Sequence, residues 1–226
     1  VIEDGTLFDF MEVAAINYSH VENFPPLRLL RWIGIGSKKL KQYNPIGIAQ
    51  KNVAHHYDLS TNLYELFLDR DRQYSCAYFT SPEEELESAQ LAKKRHLASK
   101  LLLDRPDLNV LDIGSGWGGL ALYIAGASDA DVTGVTLSTE QHKLSNERAQ
   151  ESELGDRVRF RLQDYRELPE KFDRVVSVGM FEHVGKRNYR EFFDKLNDLM
   201  TEDGVAVIHS IGRLDSPSAI NPFIRK

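Results

Sequence analysis

Val110-Leu111-Asp112-Ile113-Gly114-Ser115-Gly116-Trp117-Gly118-Gly119-Leu120-Ala121-Leu122 is the stretch whose reading decides the fold. The aliphatic run Val110, Leu111 and Ile113 ends in a glycine cluster, after which an apolar helix-former pattern begins. Strand, tight turn and helix start in that order form the local unit of a nucleotide-binding α/β sheet. Gly114, Gly116 and Gly119 satisfy Gly-x-Gly-x-x-Gly, the dinucleotide pattern, in which missing Cβ atoms let the backbone approach a ligand. Asp112, Gly114, Gly116 and Gly118 equally satisfy acidic-x-Gly-x-Gly-x-Gly, the pattern that holds S-adenosylmethionine (SAM). The glycines alone do not choose between them.

Downstream, strands and helices alternate. Val132 to Leu137 reads as a second strand, followed by a helix that Ser138 caps, with Gln141 at the capping-box position. Val158 to Leu162 is a third strand, ended by Gln163-Asp164-Tyr165, and Phe172 to Val178 a fourth, ended by Gly179-Met180-Phe181-Glu182-His183. A helix over 188–200 turns inward Phe192, Leu196, Leu199 and Met200. Asp203-Gly204 then turns the chain into a fifth strand, Val205 to Ile208, ending in His209-Ser210-Ile211-Gly212. This alternation predicts an α/β fold, a Rossmann-like parallel sheet with helices on both faces, preceded by a small helical region. Ligands in such sheets lie outside the carboxyl ends of the strands. Gly114 to Gly119, Thr136 to Gln141, Asp164-Tyr165, Glu182-His183 and His209 all fall at that edge.

Upstream, Ser81-Pro82-Glu83-Glu84 reads as a helix start, with Ser81 as cap, and the helix runs to about Leu103 with Leu86, Gln90, Leu97 and Leu101 near one face. Residues 52 to 79 are rich in aromatic and polar side chains. His55, His56 and Asp58 raise the question of a metal, but adjacent histidines on a helix point about 100° apart, and a packed or ligand-covering segment is the better reading; no metal is expected. Within residues 1–50, Leu7, Phe10, Met11, Ala14 and Ala15 fall at helical spacing, and Phe24-Pro25-Pro26 breaks that helix. Lys38, Lys39 and Lys41, beside Trp32 and several leucines, fit either a solvated helical lobe or one seated on an anionic lipid surface.

Composition narrows the classes. A formal net charge of -6 argues against nucleic acid as the main partner. One cysteine, Cys76, excludes an intrachain disulfide framework and a multi-cysteine zinc site. With no signal-like or membrane-spanning run in the sequence, a cytoplasmic location is expected.

The cofactor question turns on the second strand. A dinucleotide enzyme places an acid there, about 20 residues past its glycines, for the ribose hydroxyls. Here the place is held by Thr136, Leu137 and Ser138. That weakens the dinucleotide reading, although the commonest methyltransferase pattern also wants an acid there. Asp164, after the third strand, stands where methyltransferases hold the adenine amino group. Asp112 is read as orienting the loop. The balance favours SAM.

Several ordered segments then resemble one family, the cyclopropane-fatty-acid-phospholipid synthases and the related mycolic acid cyclopropane synthases. They are Asn52 to Leu59, Gln73-Tyr74-Ser75-Cys76-Ala77-Tyr78-Phe79, Leu111 to Gly119, Gly134-Val135-Thr136-Leu137-Ser138, Met180-Phe181-Glu182-His183-Val184-Gly185 and His209-Ser210-Ile211-Gly212. The resemblance covers about 45 to 226, and a second strand ending without an acid is usual in that family. It implies a SAM-dependent methyltransferase domain over 51–226, with 1–50 as the end of a smaller helical domain and candidate lipid-surface lobe. Because the family continues beyond this point, the domain is expected to be C-terminally incomplete and inactive by itself.

The implied reaction moves the methyl of SAM to a cis double bond of an unsaturated phospholipid acyl chain and yields S-adenosylhomocysteine (SAH). An alkene is a poor nucleophile, so placement in a water-free pocket matters, and aromatic faces stabilise the resulting cation. The resemblance implies a bicarbonate base held by Cys76, Glu182, His209 and the Ile211 backbone. For SAM it implies Tyr74, Ser75, Gly114, Ser115 (in place of a common cysteine), Gly116, Thr136, Leu137, Ser138, Gln141, Asp164 and Tyr165. It further implies contact with the inner face of the membrane from the cytoplasm, and a homodimer. Each residue has a plainer role available: Cys76 a small hydrophobe, Glu182 a helix cap, His209 a core histidine, Ser138 and Gln141 caps. The rival functions are a lipid methyltransferase giving a methyl-branched or otherwise modified chain, and a non-catalytic nucleotide-binding scaffold.

Overall fold

The structure is a computed structural model and describes residues 5–22 and 61–212. Contacts divide the chain into one unit that carries the first helix and a second, Asn44–Gly212. Helix α1, Leu7–Glu22, confirms the helical spacing near the start. It opens on a reciprocal capping box, in which the Thr6 amide and hydroxyl both donate to Asp9 Oδ2 and the Asp9 amide donates back to Thr6 Oγ1. The His55-His56 pair and the lysines at 38, 39 and 41 lie outside the described residues.

In the second unit the elements are α2 (Thr61–Glu65), α3 (Leu86–Lys100), β1 (Asn109–Ile113), α4 (Gly119–Ala127), β2 (Asp131–Thr136), α5 (Thr139–Glu151), β3 (Val158–Leu162), β4 (Phe172–Val178), α6 (Phe181–Val184), α7 (Tyr189–Asp198) and β5 (Met200–His209). All four strand pairings are parallel, in the order β3-β2-β1-β4-β5. This is the Rossmann-like sheet expected from the alternation.

The period of two along each strand sorts the core onto two faces. Val110, Val132, Val158 and Val176 join Leu97, Leu101, Leu120 and Ile124 on the side of α3 and α4. Leu111, Ile113, Val135 and Val175 join Phe192, Leu196 and Leu199 on the side of α7. By the same alternation Asp112 belongs to the α3 and α4 side, and it is 2% exposed.

Several expected boundaries move: the helix expected to carry Met200 inward ends at Asp198, and Met200 opens β5. The helix read from Ser81 begins at Leu86; Glu84 instead accepts from the Thr80 amide (2.6 Å) and hydroxyl (3.0 Å), closing a turn one residue earlier than the capping box expected. The fifth strand starts at Met200, and Asp203-Gly204 lies inside it, at a register irregularity between the Phe172 and Arg174 pairings. The turn chemistry is real, but parallel pairing with β4 absorbs it as a bulge.

Candidate active site

Strand order places the site. Moving out from β1, the chain goes one way to β2 and β3 and the other to β4 and β5, so the crevice lies beyond the carboxyl ends of β1 and β4. On one side of it the glycine loop folds back: the Gly114 and Ser115 amides both donate to Val135 O, at 2.9 and 3.0 Å. Gly116 holds φ +55, and a Cβ built there meets nothing within 4 Å. The loop therefore faces open space at the position where a ligand must approach the backbone. Ser115 Oγ is buried with no hydrogen-bond partner.

Thr136 and Ser138, which follow β2, are organised by the start of α5. Ser138 caps the helix by accepting from the Gln141 amide at 3.3 Å. The Gln141 side chain does not close a capping box. Its Oε1 accepts from Thr136 Oγ1 (2.8 Å), which in turn accepts from the Ser138 amide (3.2 Å). All three residues are buried, with the half-buried Leu137 between them.

At the end of β3, Asp164 is 3% exposed and its carboxylate is largely occupied by Arg166: Oδ1 accepts from the amide and Nε, Oδ2 from Nη2. Tyr165 packs edge-on against Phe192 at 5.7 Å, and burial pushes its phenol up to about 12.

Beyond β4 and β5, Glu182 meets the stretch that carries His209 and Ile211. The Ile211 amide donates to Glu182 Oε1 at 2.7 Å, and the Gly179 amide donates to His209 O. Glu182 Oε2 and His209 Nδ1 are both buried and without a partner. Leaving such atoms unpaired costs about 1–3 kcal/mol each, so this corner fits a small polar group that can both donate and accept. A bicarbonate ion has that character: a carboxylate takes its O–H and an imidazole N–H serves its oxygens, the Ile211 amide being spent on orienting Glu182.

Tyr74, Ser75 and Cys76 form a segment laid over this edge. Ser75 Cβ is 3.8 Å from where a Gly179 Cβ would lie, next to the end of β4. A Cβ on Gly119 would collide with the Asp71 and Gln73 side chains, so the turn before Tyr74 sits directly on the start of α4. Aromatic contacts tie it down further: Tyr64 meets Trp117 of the glycine loop at 4.9 Å and Tyr74 at 5.5 Å. Cys76 is exposed.

Sequence reading missed what holds that segment. Lys93 on α3 is 3% exposed and donates to Ser75 Oγ at 2.7 Å. Gln90 Nε2 donates to Gln73 O and Ser75 O. Asp71 pairs with Lys94 and Arg148, and Arg148 also donates to Trp117 O. The signal was present for Lys93: it shares the face of Gln90 and Leu97, three and four residues away, where an apolar residue is the norm.

A parallel sheet of this order, with an acidic-glycine loop after its first strand, is that of the class I SAM-methyltransferase fold. The comparisons agree. The family model "Mycolic acid cyclopropane synthetase" matches residues 47–226, and the chain belongs to that family. The cyclopropane-fatty-acyl-phospholipid synthase of Escherichia coli K12 is 46% identical over 171 residues, 76% of this chain and 43% of the relative. Cyclopropane mycolic acid synthase 2 of Mycobacterium bovis is 37% identical over 74% of this chain and 57% of its own length. A crystal structure of a mycolic acid cyclopropane synthase complexed with SAH and CTAB superposes with TM-score 0.68 at 36% identity, covering 74% of this chain and 57% of that one. The chain thus spans roughly half the length of these relatives.

Proposed function

We propose that the protein transfers the methyl group of SAM to a cis double bond of an unsaturated phospholipid acyl chain and closes a cyclopropane ring, with bicarbonate as the base. The observation that carries this is the pair of buried, unpartnered atoms Glu182 Oε2 and His209 Nδ1 beside the Ile211 amide. A nucleotide-binding scaffold has no use for them. When bound, SAM supplies a methyl-cation equivalent to the alkene π pair, leaving as SAH, and bicarbonate takes one proton from that methyl as the ring closes.

The chain's own residues do the rest. The Gly114–Gly116 backbone, with Ser115, cradles the amino-acid end of SAM, and Tyr74 and Ser75 cover it. Thr136, Leu137, Ser138 and Gln141 present the carboxyl end of β2 to the ribose. Asp164, already charge-paired, offers its remaining lone pair to the adenine amino group, with Tyr165 beside it. Glu182, oriented by the Ile211 amide, holds the base together with His209 and Cys76. In this reading residues 51–226 are the methyltransferase domain and 1–50 a separate helical lobe. Exposed Leu66, Phe67 and Phe79 near the covering segment support approach to the cytoplasmic face of a membrane. No helix among the described residues is long and apolar enough to cross one.

The test incubates the full-length protein with methyl-labelled SAM and vesicles of unsaturated phospholipid, followed by lipid mass spectrometry. The expected product gains one methylene and loses its double bond without gaining a methyl branch. Glu182→Gln lowers kcat by about 100-fold or more, in the range of a lost base-binding group, with the KM for SAM little changed. Label in a branched chain would replace ring closure by the rival outcome, and no label in lipid would refute the assignment.

A further inference from the structure

Within α3, Gln90 and Lys93 lie on one face and aim their donors at a single target. Gln90 Nε2 reaches Gln73 O and Ser75 O at 3.2 and 3.1 Å, and Lys93 Nζ reaches Ser75 Oγ at 2.7 Å. Burying an ammonium is costly, and a methionine of similar length would fill the same space more cheaply. The fold carries that cost: burial lowers the Lys93 ammonium to about 8, against the pull of Asp69, Asp71 and Cys76. Asp112, beneath the glycine loop, also feels the Lys93 charge.

The direction of the hydrogen bond matters. An ammonium has donors only, so Ser75 Oγ must accept from it. A hydroxyl has one proton of its own, which is then left to donate elsewhere. Ser75 Cβ lies 3.8 Å from a Cβ built on Gly179, and one built on Gly114 meets the neighbouring Met180, so Ser75 sits at the crevice beside the glycine loop. A ligand group met there by a fixed donor is an acceptor, and on SAM the acceptor at the amino-acid end is the carboxylate.

We propose that Lys93 is a positioning residue: it fixes the Ser75 hydroxyl as a donor to the carboxylate of SAM and holds residues 73–76 over the cofactor crevice. The proposal rests on the reading that this crevice binds SAM. Lys93 itself touches no reacting atom; it acts through Ser75.

The test uses the full chain with Lys93→Met, Ser75→Ala and the double variant. Calorimetric titration measures binding of SAH and of 5′-methylthioadenosine, which lacks the carboxylate. Amide hydrogen exchange of the peptides covering 73–78 reports the segment without any ligand. Lys93→Met is expected to raise the SAH dissociation constant about tenfold or more, the value of a hydrogen bond to a charged group, and to leave 5′-methylthioadenosine within about twofold. Exchange over 73–78 should quicken while β1 and β4 stay protected. The double variant should bind SAH no worse than Lys93→Met, because the lysine acts through the serine.

Equal weakening of both ligands, additive losses in the double variant, or unchanged exchange over 73–78 would each overturn the proposal. Where Lys93→Met does not fold, the two ligands on Ser75→Ala decide in its place: loss confined to SAH supports it and equal loss refutes it. A wild-type chain that binds no SAH sinks the functional reading and with it the carboxylate, while exchange over 73–78 still shows whether Lys93 holds the segment. Binding of SAH without methyl transfer to lipid removes the function and leaves this inference standing.

Discussion

Asp112 opens the acidic-glycine pattern from a position where a carboxylate is expensive to keep ionised. It is wholly enclosed, its Oδ2 has no partner, and burial raises it from the usual carboxylate range to about 7, with Lys93 easing the cost. The sign follows from proton binding. Between about pH 4 and pH 7 the folded chain holds a proton on Asp112 that the unfolded chain has released, so stability falls as pH rises through that window. Asp112→Asn has no such proton. The difference in unfolding free energy between wild type and Asp112→Asn should therefore shift against wild type by on the order of a few kcal/mol from pH 4 to pH 7, then level off. Urea unfolding at a series of pH values measures it, and a difference that stays flat below pH 7 contradicts the burial argument. The motif showed an acid at 112 but could not show its ionisation, which depends on the helices packed over it. Glu182, His209 and Ile211 were legible as strand-end residues for the same limited reason. The bond between the Ile211 amide and Glu182 exists only because β4 and β5 pair in the register seen, and register is not written in either segment alone.

At the scale of elements, the covering segment is fastened by partners far away in sequence. Arg148, near the end of α5, donates to Trp117 O, Asp71 O and the Asp71 carboxylate, and Lys94 on α3 completes the pair. These groups are about one-fifth exposed, so the pairing is worth more than a surface ion pair. Arg148→Met should destabilise the chain by about 1–3 kcal/mol, because it takes a donor from Asp71 Oδ1 and from two carbonyls together. SAH affinity should fall with it, through the loosened 71–76 turn. Unfolding curves and titration calorimetry check both effects; a stability loss with unchanged SAH affinity would mean that the clamp fixes the fold but not the cover. None of this was visible beforehand, since the contact joins residues 77 positions apart. By contrast β3 and β4 were read to the residue, because short runs of β-formers bounded by polar turns announce themselves locally. The start of α3 was misplaced because Ser81-Pro82-Glu83-Glu84 carries capping chemistry, while Thr80 captured Glu84 and made a turn of it.

For the molecule as a whole, the order β3-β2-β1-β4-β5 fixes where a nucleotide lies but not which one, since dinucleotides and SAM use the same crevice. The discriminating position is the end of β2. There the chain holds Thr136, buried and bonded to Gln141, instead of an acid to grip ribose hydroxyls. A dinucleotide deprived of that acid loses a charge-assisted bond. In the proposed reading SAM lays its amino-acid end in the glycine loop, a contact that does not depend on the residue at 136. A ligand that binds only the folded state stabilises it by RT ln(1 + [L]/Kd), about 2.7 kcal/mol at a hundredfold excess over Kd. For a domain of this size that is a rise of roughly 5–10 °C in melting temperature. SAH at saturating concentration should produce a rise of that order, and NAD at the same concentration should leave the transition where it was. A shift with NAD and none with SAH would return the glycine loop to the dinucleotide reading and remove the case for a bicarbonate base at Glu182 and His209, because without methyl transfer there is no methyl proton for it to take.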